Sequence, residues 1–497
     1  MLRLPKDLAL LERFACAFTR PTYDRFVFLC LSAIVTMGRR SVCRLLAAAP
    51  KLRSGHPASY HRFFSAAHWS LWTLGRVLAA MVLELIPPDQ PVVMEVDDTV
   101  NQHRGRKVYG KGWHRDAVRS SHGRQTFVLG HRWVVLAVNV KLPLCKRPWA
   151  LPVLVSLYRP PAKQRVNPEE QVRAYKDRCK ANAAEQSGEQ SAEQMPDCRL
   201  PLLRKRNKAG KLTARHKTPC LLARQMLAAF LHWFPERRFI VAGDWGFASH
   251  DLAWFCYRHR RRITLVARFL PDAVLFARPK AKPRGRRGPQ GRKGKRLPSP
   301  QEALRRASDR RHAEVDWYGR GRRKVELLSS CGGWYRARGS GRACLVPLRW
   351  VWARELAKGQ EAWFYSTDPT LAPEQIIELF AGRWAIEVTF QEVRAHLGWA
   401  TTRQRCRQSV LRAAPCLLGL FSVVSLLYGR IAGQRKIKIE STPCWHKLDP
   451  TFADALATVR WVVWEEVILP RTAGRACAAK MPDRFKHLLL HHLSAAA

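Results

Sequence analysis

The chain has 497 residues, of which 47% are hydrophobic, and it carries 87 Lys and Arg against 38 Asp and Glu for a formal net charge of +49. That apolar content can bury one large core with accessory parts, which excludes a disordered or fibrous chain. The charge imbalance asks for a polyanionic partner, and nucleic acid fits better than a membrane surface because the cations run through almost every segment and no amphipathic helix gathers them on one face. The 14 cysteines, Cys16, Cys145, Cys256 and Cys444 among them, stand singly, without zinc-site or disulfide-framework spacing. Asp7 and Glu12 interrupt what would otherwise be a signal-peptide pattern, so a reducing cytosol is expected.

In chain order, residues 1–88 read as helical. Leu71, Leu74, Leu78, Met81, Val82 and Leu85 recur at helical spacing behind a cap at Ser70, and Pro87 and Pro88 end the run. Residues 92–97 are a short β-branched run that stops at Asp97, Asp98 and Thr99, a buried strand delivering carboxylates to its end. Two further strands are expected at 126–140 and 149–158, and 160–216 loses periodicity and reads as a flexible insertion. A helix carrying Leu222, Met226 and Phe230 then leads into a strand at 239–242 and the turn Gly243-Asp244-Trp245-Gly246, so a second acid sits at a strand end. Residues 279–300 form a solvated basic linker, 325–365 a β-rich insertion, and 373–397 one strong helix with Pro373 in its first turn and Gly398 as its stop. The most apolar stretch, around 410–428, contains Arg412 and Pro415 and reads as a buried core helix.

The chemistry rests on where the acids fall. Phosphoryl transfer on DNA calls for divalent ions held by hard oxygen ligands, and carboxylates gathered for packing alone would repel one another. On the helix near 387, Phe380, Arg383, Glu387 and Arg394 fall within an arc of roughly 60° at about 100° per residue. One face thus presents an acid that can ligate metal, with cations on either side to hold flanking phosphates. The bland alternative is a solvated helix in which Arg383 and Glu387 form an ordinary i,i+4 pair.

This stretch, Phe380-Ala-Gly-Arg383-Trp-Ala-Ile-Glu387 and on to Arg394, resembles the DDE transposases of bacterial insertion sequences. Within them it is similar to the group marked by Tyr, two residues, Arg, three residues, Glu, six residues and Lys, with Phe in place of Tyr and Arg in place of Lys. Asp97, two residues before Thr99, and Asp244 resemble that family's first and second Asp. Strand alternation favours Asp97 over Asp98, because it places Asp97 with Glu95 and Asp98 with Val96.

The resemblance implies a mixed α/β fold with a ribonuclease-H-like core: a helical DNA-binding domain over 1–88, the core over 89–275 and 371–432, a basic linker and β-rich insertion over 276–370, and a C-terminal helical region over 433–497. It implies Asp97, Asp244 and Glu387 as catalytic residues and ligands of two Mg²⁺ or Mn²⁺ ions. Double-stranded DNA would be contacted by Phe380, Arg383, Arg394, Lys107, Lys111 and Arg124, by a homodimer in the bacterial cytoplasm at the nucleoid. The activity implied is strand cleavage and strand transfer at element ends. The alternatives are a ribonuclease-H-like nuclease that does not join strands and a domesticated DNA-binding protein without catalysis. Trp334, Trp350, Trp352 and Trp363 can stack on an unpaired base, although core packing is their default.

Overall fold

The computed structural model describes residues 4–103, 105, 107–116, 119–120, 124–161, 204–206, 212–214, 216–280, 291–317, 321–337, 344–435, 447, 449–472 and 480–495. Most of the 160–216 insertion, part of the 279–300 linker, Arg104, Arg106 and Cys444 lie outside these described residues.

The N-terminal part is helical: a 3-10 stretch (Lys6–Ala17), then α1 (Arg20–Val35), α2 (Val42–Ala48), α3 (Pro57–Ser65) and α4 (Leu71–Leu83). Their starts follow from side chains that replace missing backbone partners: Ser41 and Ser70 accept the N–H groups of Arg44 and Trp72, and α1 and α3 carry a proline, Pro21 and Pro57, in the first turn. These helices share one continuous core with the sheet that follows.

The strands are β1 (Val92–Gln102), β2 (Gly112–Arg115), β3 (Phe127–Val140) and β4 (Trp149–Tyr158), then the small hairpin β5 (Arg204–Arg206) and β6 (Leu212–Ala214). Next come α5 (Pro219–Trp233), β7 (Phe239–Gly243), α6 (His250–Arg258), β8 (Ile263–Arg268), β9 (Leu275–Phe276), β10 (Arg296–Leu297) and α7 (Pro300–Arg306). The β-rich segment supplies β11 (Arg311–Asp316), β12 (Arg322–Arg336), β13 (Cys344–Glu355) and β14 (Glu361–Ser366).

All but the hairpin join one 12-stranded sheet in the order β10-β9-β12-β13-β14-β8-β7-β1-β3-β2, with β11 on β12 and β4 on β3. The pairs β1/β7 and β7/β8 are parallel, and the rest are antiparallel. The β-rich segment therefore extends the central sheet, since β14 pairs with β8 through Phe364 and Arg268. The far end of the expected linker is also drawn in, with Arg296 and Leu297 paired to β9. A close approach fixes Gly130 on β3, where a Cβ would meet the backbone oxygen of Asn101 at 2.0 Å.

The expected single helix over 373–397 is two, α8 (Pro373–Gly382) and α9 (Trp384–His396). The ladder tightens at Arg383, where Arg383 N–H donates to Phe380 O and Ile386 N–H to Arg383 O, each at 3.2 Å and each spanning three residues. The stop at Gly398 holds: its φ is +54° and a Cβ there would meet Gly38 O at 2.6 Å.

Then come α10 (Arg407–Ala432), α11 (Phe452–Val462), a π-helical turn (Val463–Ile468) and α12 (Asp483–Ser494). Helix α10 is long and apolar enough to cross a membrane, yet 83% of its most apolar window is buried inside the molecule. It packs against β4, α3, α4 and α11. Ser422 Oγ donates to Pro152 O at 2.7 Å, and the Arg412 guanidinium donates to the carbonyls of Phe63, Phe64 and Trp69 and sits 4.3 Å above the Trp69 ring.

Candidate active site

Strand β1 runs alongside two partners of unequal length. It pairs with β3 as far as Gln102, whereas its register with β7 ends at Val96 opposite Gly243. The strand thus continues past the acids instead of ending at them, and the acids mark where its other neighbour stops. Asp97 and Asp98 are the first residues of β1 beyond β7, and Asp244 is the first residue after β7, so a carboxylate cluster forms at the split.

Alternation along β1 then sorts the side chains. Glu95, Asp97, Thr99 and Asn101 face α9 and the turn after it. The Ile386 N–H reaches Glu95, the Arg383 guanidinium reaches Asp97, Arg394 hydrogen-bonds Thr99 Oγ1, and Asn101 Nδ2 donates to Trp399 O at 3.4 Å. Asp98 points the other way, where Arg132 of β3 grips both its oxygens at 2.5 and 2.6 Å. A Cβ on Gly246 would lie 3.2 Å from Asp244 Oδ1 and 3.9 Å from Asp98 Oδ1, so those two carboxylates share one rim.

Arg383 joins the first acid to the third. Its guanidinium donates to Asp97 Oδ2 at 2.5 Å and to Glu387 Oε1 at 2.6 Å. Asp97, not Asp98, therefore shares a cation with Glu387. Burial pushes the Asp97 carboxyl up to about 8; Arg383 opposes this, while Asp244 and Asp98 add to it. Asp244 is also raised, first by burial, with Arg383 opposing and Asp98 adding. Arg383 stays charged because Asp97 and Glu387 outweigh its burial.

Behind this pair sits Glu95, fully buried, its Oε1 accepting from Asn139 Nδ2 at 2.6 Å and its Oε2 without a hydrogen-bond partner among the described residues. Burial carries its carboxyl up to about 8 as well. Among the described residues, no three His, Cys, Asp or Glu side chains stand close enough to hold one ion as they are placed. Between Asp97 and Glu387 stands the Arg383 guanidinium, bonded to both.

The predicted DNA contacts separate. Phe380 requires correction: it is 2% exposed, its ring packs 4.9 Å from that of Phe364, and Arg268 and Arg383 lie over it at 4.9 and 5.6 Å. It is a packing residue beneath Arg383, with no face to offer a phosphate. Arg383 is buried in its ion pairs, while Arg394 is exposed on the same line of the helix, over Trp399. Lys107 and Lys111 lie in the loop between β1 and β2, where Lys111 Nζ donates to Gly105 O at 2.5 Å, and Arg124 precedes β3. Trp350 and Trp352 are buried, and Trp334 and Trp363 pack among them and Tyr365. Sequence reasoning had no role for Arg132 or Asn139; the alternation of β3 against β1, once their register is known, is the signal that places them.

A comparison with curated proteins finds no match. Among solved structures, a piggyBac transposase synaptic complex with hairpin DNA aligns over 98% of this chain and 80% of that one, at 10% identity and a TM-score of 0.37, a likeness too slight to argue from. The model of one family, described as DDE superfamily endonuclease, matches residues 13–324. That span contains the three aspartates at the split between β1 and β7 and stops short of α9; it is more than half of the sequence, and the chain belongs to the DDE superfamily endonucleases.

Proposed function

We propose that the chain is a DNA transposase with a ribonuclease-H-like core, cleaving and rejoining strands at the ends of a bacterial insertion sequence of the Tyr-Arg-Glu-Lys kind. One observation carries this reading. Asp97 stands where the pairing of β1 with β7 ends, next to the turn that carries Asp244, and a single buried guanidinium links Asp97 to Glu387, far away in sequence, at 2.5 and 2.6 Å. Membership of the DDE superfamily endonucleases supports the cleavage half of the reaction.

The donor set fits hard divalent cations such as Mg²⁺ or Mn²⁺. It is made of carboxylate oxygens; besides burial, Asp244 and Asp98 raise Asp97 and Asp98 raises Asp244, a repulsion that added positive charge relieves. Asp97, Asp244 and Glu387 would hold two such ions once Arg383 withdraws. Bound there, they supply activation of the attacking oxygen and stabilisation of the leaving oxygen. Asp98 is kept out of this role by Arg132, which occupies both its oxygens. Arg383, released from its acids, and Arg394, already exposed, are the cations on this helix line that can meet phosphates of double-stranded DNA. Two ends must be processed together, so the working form is a DNA-bound homodimer, acting in the cytoplasm at the nucleoid.

Glu387→Gln is expected to abolish strand cleavage in Mg²⁺ while DNA binding is retained; normal nicking by that variant removes Glu387 from the site. A second reading, an endonuclease that cuts without joining, is favoured by the description of the family itself. Pre-cut DNA ends separate the two readings, since joined product forms only with a transposase.

A further inference from the structure

The turn that carries Asp244 also carries a side chain for which cleavage has no use. Trp245 is 53% exposed and makes no ring contact among the described residues, whereas Trp133, Trp317, Trp352 and Trp399 are buried to below 2%. Its exposure is built in. Asp244 Oδ1 accepts the Gly246 N–H at 2.9 Å, Phe247 N–H donates to Asp244 O at 3.1 Å, and the Phe247 ring is wholly buried. Cys220 Sγ holds the far side of the turn through Gly246 O at 3.1 Å. With the residues before and after it fixed in this way, the indole is held outward from a rigid 3-10 turn (Trp245–Phe247). An uncovered indole forgoes one of the largest burial gains any side chain offers, and here it does so one residue from a carboxylate of the cluster.

We propose that Trp245 is a stacking platform for a nucleobase unpaired at the cut step, and so a positioning residue for the strand that the acids attack. The inference rests on the transposase reading above. A phosphodiester brought to Asp244 carries its own base within a nucleotide's reach of the next residue along the chain. A base leaving the duplex loses its stacking neighbour, and an indole face replaces that neighbour without regard to base identity.

The test uses the full chain without divalent ions and two DNA probes: a fully paired duplex, and the same duplex with a short internal run of unpaired thymines flanking a 2-aminopurine. Wild-type protein is expected to bind the second more tightly and to quench its 2-aminopurine emission. Trp245→Ala should lose on the order of 10- to 100-fold in affinity for the unpaired probe, hold the paired duplex within about twofold, and quench no longer. Trp245→Phe should restore most of both signals. If Trp245→Ala binds and quenches the unpaired probe as wild type does, the stacking role is overturned while DNA processing stands. A wild-type protein that binds neither probe overturns the transposase reading and the stacking role with it.

Discussion

Arg383→Met removes the guanidinium that joins two of the acids while keeping most of the side-chain volume. The Arg383 and Asp97 side chains are 9% and 11% exposed and Glu387 is 31% exposed, so the Asp97 arm dominates the cost. Breaking a buried ion pair from one side costs roughly 3–5 kcal/mol, because the remaining charge is left uncompensated. Asp97 can lower that cost by taking up a proton, because its burial favours the uncharged carboxyl once the guanidinium is gone. At neutral pH the expected loss is therefore about 3 kcal/mol, with under about 1 kcal/mol more from the wetter Glu387 arm. The same substitution clears the space between Asp97 and Glu387, so divalent ions should recover more stability in the variant than in wild type. A free ion at a hundredfold its Kd returns about 2.7 kcal/mol. Urea unfolding of both proteins in EDTA and in Mg²⁺ measures both effects. A variant as stable as wild type in EDTA, or one that gains no more from Mg²⁺ than wild type does, refutes the reasoning.

Two further predictions concern the supports of the site. Burial pushes His114 and His131, on β2 and β3, down to about 4. Their contribution is fully present above pH 6.5 and lost as pH falls through 4, of the order of 3 kcal/mol each. Glu95, raised to about 8 by its burial, acts in the opposite sense, its contribution being complete below about pH 4 and lost as pH rises through 8. The readout is thus the difference between variants: His131→Gln should lose less stability than wild type between pH 6.5 and 4, and parallel curves would discount the histidine. Phe380→Ala should cost about 3–5 kcal/mol in urea unfolding, as a truncation in a packed core does. Unchanged stability together with weakened DNA affinity would return Phe380 to the role its place in the motif suggested.

Sequence patterns found elements well where one physical signal dominates. The strands at 149–158 and 239–242 and the helix behind Ser70 needed only periodicity, a cap or a glycine turn, and they stand within a residue or two of expectation. That Asp97 and Glu387 share one guanidinium, and that Asp97 and Asp244 lie where β7 ends, was foreshadowed because strand ends and helix faces constrain where side chains point. What escaped the sequence depends on partners distant along the chain. A 3-10 step at Arg383 gives no compositional sign, and whether Arg383 faces phosphate or carboxylate is decided by β1, 286 residues upstream. Likewise the β-rich segment looks separable by its turns, yet its edge hydrogen bonds are completed by β8.

The placement of α10 bears on how the molecule comes to exist. Its Arg412 caps carbonyls of Phe63, Phe64 and Trp69, which leave the ribosome 343 to 349 residues earlier. Until that helix is synthesised, the N-terminal helices have only part of their final cover, the share supplied by β3 and β4, and the surface meant for α10 stays open to aggregation. Fragments ending before residue 407 should accordingly be stickier than the full chain, because the surface that α10 covers stays exposed in them.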